Sequence, residues 1–67
     1  MNKSSLESFV DYLREVHRLK KDIDYAILHK YGYFYVLIEH DGWEKYIMES
    51  ANSFGITITK IIKVHEQ

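Results

Sequence analysis

The sequence predicts a small α+β domain: a three-stranded sheet with two helices, in the order α-β-β-α-β. Three observations carry this expectation. An amphipathic helical stripe opens the chain, two β-rich runs flank a Tyr-Gly pair in the middle, and a β-branched run lies near the end. The apolar period switches between 3.6 and two along the chain, and those switches mark the element boundaries.

The first helix is expected from Ser5 to about Lys21. Leu6, Phe9, Val10, Leu13, Val16 and His17 fall on one helical stripe, while Glu7, Asp11, Arg14, Glu15, Arg18 and Lys21 lie mainly on the other side. Ser4 and Glu7 have the spacing of a capping box, which marks the start. Arg18, Lys20 and Lys21 collect at the expected end, where positive charge complements the helix dipole.

Asp22-Ile23-Asp24 breaks the helical pattern. Two strands are expected next, Tyr25–Lys30 and Tyr33 to Glu39, joined by Tyr31-Gly32, because Gly32 supplies the positive φ of a tight hairpin. A two-residue loop pairs Ile27 with Val36 and His29 with Phe34. One face then carries Tyr25, Ile27, His29, Phe34, Val36 and Ile38, and the other Ala26, Leu28, Lys30, Tyr33, Tyr35 and Leu37. Both faces are largely apolar, which is unusual for a half-exposed antiparallel sheet.

After His40-Asp41-Gly42 a third hairpin strand competes with a helix from Gly42 to Phe54. Trp43, Ile47, Ala51 and Phe54 keep helical spacing, Asp41 with Glu44 forms a second capping-box pattern, and Gly55 occupies the position of a helix C′ residue. The hairpin would oppose Glu39 to Glu44 and Ile38 to Lys45, so the helix is favoured.

The last strand is expected over Ile56 to Val64. Alternation breaks at Ile61-Ile62, which calls for a bulge near Lys60 or a strand covered on both faces. The tail His65-Glu66-Gln67 is expected to fray. A helix between the last two strands makes them parallel. The third strand then lies beside the first or beside the second, and the pattern leaves both orders open.

Composition limits the function classes. The 67-residue chain has no cysteine, no proline and a formal net charge of −1. Disulfides, thiolate metal centres and cysteine nucleophiles are excluded. The near-cancelling charge argues against a polybasic nucleic-acid binder. No stretch approaches the roughly 18 apolar residues of a membrane span, and no apolar signal core follows the first residues, so no membrane contact and a cytoplasmic setting are expected. A domain this short buries only about 60% of its unfolded surface, and such scaffolds often complete their core with a partner chain. Its 46% hydrophobic and 15% aromatic content supplies the material for such a contact.

The two helices can cover the Ile27/Val36/Ile38 face. The other face, made by Leu28, Tyr33, Tyr35 and Leu37 with Lys30 beside them, is then an interface for a second copy or another protein, since tyrosine is enriched in contact hot spots. The competing arrangement puts one helix on each face and makes all of this core. A nucleic-acid alternative uses Tyr33 and Tyr35 as stacking platforms with Lys30, Lys60 and Lys63 on phosphates, but no RNP-type motif accompanies it.

The histidines His17, His29, His40 and His65 lack metal-ligand spacing. His17 extends the first helical stripe, His29 falls on the core face of the hairpin, and His40 belongs to the turn with Asp41. No nucleophile elbow, phosphate-binding loop or paired-carboxylate motif is present, so no catalytic residue, metal or cofactor is assigned. The expected function is a non-catalytic protein–protein interaction module, a homodimeric accessory regulator or inhibitor of the kind that phages and mobile elements encode.

Overall fold

The computed structural model describes residues 4–64, so the expectations for His65 and the rest of the tail lie outside the described residues. The order is α1 (Ser5–His17), β1 (Tyr25–Lys30), β2 (Tyr33–Ile38), α2 (Glu44–Ser53) and β3 (Ile58–Lys63). β2 is central, antiparallel to β1 and parallel to β3. Of the two strand orders left open by the pattern, the third strand takes the place beside the second, and the sheet is mixed.

α1 starts as its capping pattern requires. The Ser4 hydroxyl accepts the Glu7 backbone N–H at 3.1 Å and lies 3.2 Å from the Glu7 carboxylate. The helix ends at His17, four residues before the expected Lys21. Arg18 takes the left-handed conformation (φ 60°) and its N–H returns to the Leu13 carbonyl, which also accepts the Leu19 N–H at 3.0 Å. The physical reason is Leu19. The next stripe positions, Lys20 and Lys21, are charged, whereas the turn at Arg18 brings Leu19 into the core at 6% exposure. The basic residues of the final turn are therefore Arg14 and His17, not Arg18, Lys20 and Lys21. Asp24 closes the following loop: its carboxylate accepts the Lys20 backbone N–H at 2.8 Å, and its own N–H donates to the Lys20 carbonyl at 2.8 Å.

The hairpin has the expected register, with Ile27 opposite Val36 and His29 opposite Phe34. Tyr31 (φ 54°) and Gly32 (φ 80°) both take positive φ, as a type I′ loop demands. His29 shares the expected face with Val36 but is exposed and stacks on Phe34 at 4.2 Å, because the helices do not cover this end of the face.

α2 is shorter than the expected Gly42 to Phe54. Asp41 does not cap it: the cap position is Trp43, without a side-chain cap bond. The Glu44 carboxylate instead accepts the Gly42 N–H at 2.9 Å, and Asp41 lies 3.4 Å from Lys63 Nζ. The turn through Gly42 (φ 93°) sends Asp41 toward β3 rather than along the helix axis. At the other end Gly55 donates to the Asn52 carbonyl and Ile56 to the Ala51 carbonyl, which is a Schellman termination.

β3 pairs Ile58 with Phe34 and then Lys60 with Tyr35, so Thr59 is an extra residue at a bulge. That insertion rephases the strand and lets Ile58 and Ile61 face the same side.

The core consists of Phe9 and Leu13 of α1, Leu19, Tyr25, Val36 and Ile38 of the hairpin strands, Ile47 and Ala51 of α2, and Ile56 and Ile58. Every sheet residue in this cluster belongs to one face. Both helices therefore lie on that face, and the arrangement with one helix per face does not form.

One core residue carries an unmatched polar group. Tyr25 is 2% exposed and its hydroxyl has no hydrogen-bond partner among the described residues. Burial, with Asp22 next, pushes its pKa up to about 12. An unsatisfied buried hydroxyl costs about 1–3 kcal/mol. Tyr25→Phe is thus expected to raise the melting temperature by several degrees at neutral pH, as calorimetry would show, since about 1 kcal/mol shifts a domain this size by about 4–8 °C. With the folded pKa above the unfolded value of about 10, wild-type stability falls as pH rises through 10 toward 12, and the variant lacks that contribution.

Candidate interaction surface

The sheet face turned away from the helices is ordered in rows by the strand registers. Lys30 and Tyr33 form the row at the hairpin end. Leu28, Tyr35 and Lys60 form the next, and Ala26, Leu37 and Ile62 the third. Beyond it the backbone of Glu39 bonds to Asp24 and that of Val64 to Ile38, which places Asp24, Glu39 and Val64 at the far end. All five residues expected to form an interface, Leu28, Lys30, Tyr33, Tyr35 and Leu37, thus share one face.

That face is apolar and open. Leu28 is 52% exposed, Tyr33 54% and Ile62 39%, while Ala26, Tyr35 and Leu37 are half-buried. Three strands of six residues span about 14 by 20 Å at ordinary strand spacing and rise. Contiguous apolar patches of several hundred Å² on a monomer commonly mark contact sites. Ile62 was missed by sequence reasoning because its side depends on the bulge at Thr59; a β-branched strand that breaks alternation was the available signal. Ile23 was missed too. At 67% exposure it lines a hollow at the far end with Asp22, Ala26, Leu37, Glu39 and Val64.

The lysines divide between the two faces. Lys63 Nζ lies 3.2 Å from Glu44 and 3.4 Å from Asp41, on the helix side. These partners, Glu44 foremost, raise the Lys63 pKa; the Glu44 carboxylate is held below its usual range by its own backbone N–H and by Lys63. The three lysines of the nucleic-acid alternative are therefore not brought together. Lys60 lies in the Tyr35 row, and Lys30 Nζ sits 5.8 Å from the centre of the Tyr31 ring.

The remaining candidates are structural in their contacts. His17 packs on Trp43 and Tyr12, each at 5.4 Å, in the seam between the helices, beside a cleft of about 400 Å³ lined by Tyr12, Tyr46, Glu49 and Phe54. His40 Nε2 lies 3.1 Å from the Asp24 carboxylate. Among the described residues no group of three His, Asp or Glu side chains is placed to hold a metal ion.

The Asp24 pair gives a pH prediction. The Lys20 backbone N–H, and then His40, hold the Asp24 carboxyl below its usual range despite partial burial. A lowered folded pKa stabilises the fold at pH values above the unfolded value of about 4, and the contribution disappears as pH falls through the folded value. Asp24→Asn is therefore expected to destabilise the chain at pH 7, and the gap is expected to narrow as pH is lowered below about 4, measured by urea titration across that range.

Among the described residues no helix is long and apolar enough to cross a membrane. The fold and face together define a small α+β protein with one covered and one open sheet surface. Compared with known proteins, the chain matches no family model, and no curated protein or solved structure is significantly similar to it.

Proposed function

We propose that this chain is a contact protein, a non-catalytic module that binds through its open sheet face, in the first place to a second copy of itself. The observation that carries this reading is the asymmetry of the sheet. Tyr25, Val36, Ile38 and Ile58 are buried under both helices, whereas Leu28, Tyr33 and Ile62 remain exposed on the other side. Tyrosine offers a large amphipathic contact area at small entropic cost, so two such residues in a leucine and isoleucine setting suit a protein surface.

The titratable side chains of the turns are already engaged in structural roles, which favours contact over chemistry: Asp24 with Lys20 and His40, Asp41 and Glu44 with Lys63. In this reading the protein is an accessory regulator or inhibitor, cytoplasmic in setting, and acts by occluding or bridging a partner. Each face spans only about 300 Å² of sheet, well under the roughly 800 Å² per partner of a standard interface, so weak self-association, high micromolar or weaker, is the scale to look for.

Sedimentation equilibrium over a wide concentration range tests this. A monomer–dimer equilibrium is expected. A clean monomer at every concentration, or salt-sensitive binding to single-stranded oligonucleotides in place of self-association, removes the reading.

A further inference from the structure

Resting on that reading of the face as a self-association surface, we infer that the second copy docks face to face with its strands antiparallel to the first. The basis is a charge polarity along the face. The hairpin end carries Lys30, with Lys60 in the next row. The far end carries Glu39, with Asp22 in the hollow beside Ile23; the Asp24 carboxylate at that end is taken up by the Lys20 N–H and His40. The apolar residues lie between these ends.

Edge-to-edge pairing is the first competitor, and both edges are guarded. β1 is met at its start by Lys21, which bridges to Tyr25, and Asp22 N–H donates to the Tyr25 carbonyl. β3 carries Lys60 and Lys63, one on each face, and lysines on an edge strand oppose strand addition. On the broad face the lysines, Lys30 and Lys60, stand toward one end only.

Two identical sheets stack around a two-fold axis lying between them, with strands roughly aligned. If the axis runs along the strands, each end meets its own copy: Lys30 and Lys60 approach the partner's lysine end, and Asp22 and Glu39 the partner's acidic end. If the axis runs across the strands, each lysine end meets an acidic end, Tyr35 lies over the partner's Leu37, and Tyr33 lies over the far row. The same two faces are buried in both. Like charges held together across an interface are strongly disfavoured, so the polarity selects the second arrangement.

A charge-reversal cycle tests the orientation, with the dissociation constant of the full chain read by sedimentation at low salt. Lys30→Glu alone and Glu39→Lys alone each place like charges in contact, and the two-fold axis makes every reversal act twice. Each is expected to weaken association about tenfold, and the double variant to recover to within about threefold of wild type, with all differences shrinking at high salt. Ile23→Lys, at a site already 67% exposed, adds base to the acidic end without touching a strand and serves if Glu39→Lys does not fold. Recovery in the double variant supports the antiparallel dimer. A wild-type dimer whose single reversals are neutral or simply additive overturns the orientation alone. Absence of any wild-type self-association overturns the underlying reading as well.

Discussion

Replacing Tyr35 by aspartate is expected to abolish self-association at low and high salt while the domain stays folded. Tyr35 occupies the central strand, between Leu28 on β1 and Lys60 on β3. It is half-buried in the monomer, so its ring is pre-ordered by its neighbours while one side remains available. A central aromatic hot spot is typically worth 2 kcal/mol or more, a factor of about 30 in affinity, and burying an unpaired carboxylate adds to that loss. Sedimentation gives the affinity, and circular dichroism confirms the fold. Lys30→Ala is expected to act differently, changing the salt dependence and leaving most of the affinity. Retained dimerisation of Tyr35→Asp would separate self-association from this face.

Truncating Leu13 to alanine is expected to remove a large part of the fold's stability. Leu13 is fully buried at 0% exposure, and its carbonyl accepts the two N–H groups that end α1. Leu→Ala in a core costs about 2–5 kcal/mol through lost burial and the cavity left behind. A chain of this length has a total stability of roughly 3–10 kcal/mol, so one such change consumes much of it. Leu28→Ala, the same chemistry on the open face at 52% exposure, is expected to cost under about 1 kcal/mol. Urea titrations of the two variants therefore measure the asymmetry of the sheet directly. Equal losses would mean that Leu28 is covered within the monomer.

Much of this fold was legible in the sequence, and the reasons are local. The hairpin register follows from Tyr31-Gly32, because a two-residue loop leaves only one alignment of Tyr25–Lys30 with Tyr33–Ile38. The start of α1 follows from the Ser4 and Glu7 spacing, and the end of α2 from Gly55. The errors fall where tertiary contacts overrode a local signal. Arg18 adopts a positive φ without being glycine because that turn buries Leu19. Asp41 has the position of a cap but turns toward Lys63, a residue supplied by the last strand.

The candidate face was legible to the same extent as the hairpin. Leu28, Lys30, Tyr33, Tyr35 and Leu37 follow from period-two alternation, and they do share a side. Its third column was not legible. Whether β3 pairs with β1 or β2 depends on the crossover, and whether Ile62 faces outward depends on one extra residue at Thr59. His29 shows the same limit from the other direction. Alternation assigns it to the inner face correctly, but only the placement of the helices shows that this end of the face is uncovered.

The central claim is that the open sheet face is where this protein meets another chain. It is tested most directly by recording amide chemical shifts of the wild-type protein as its concentration is raised. The expected result is a saturable set of shifts confined to Ala26, Leu28, Tyr33, Tyr35, Leu37 and Ile62, with the helix residues Tyr12, Tyr46 and Glu49 unmoved. Shifts that map to the helix side, or no concentration dependence at all, would contradict it.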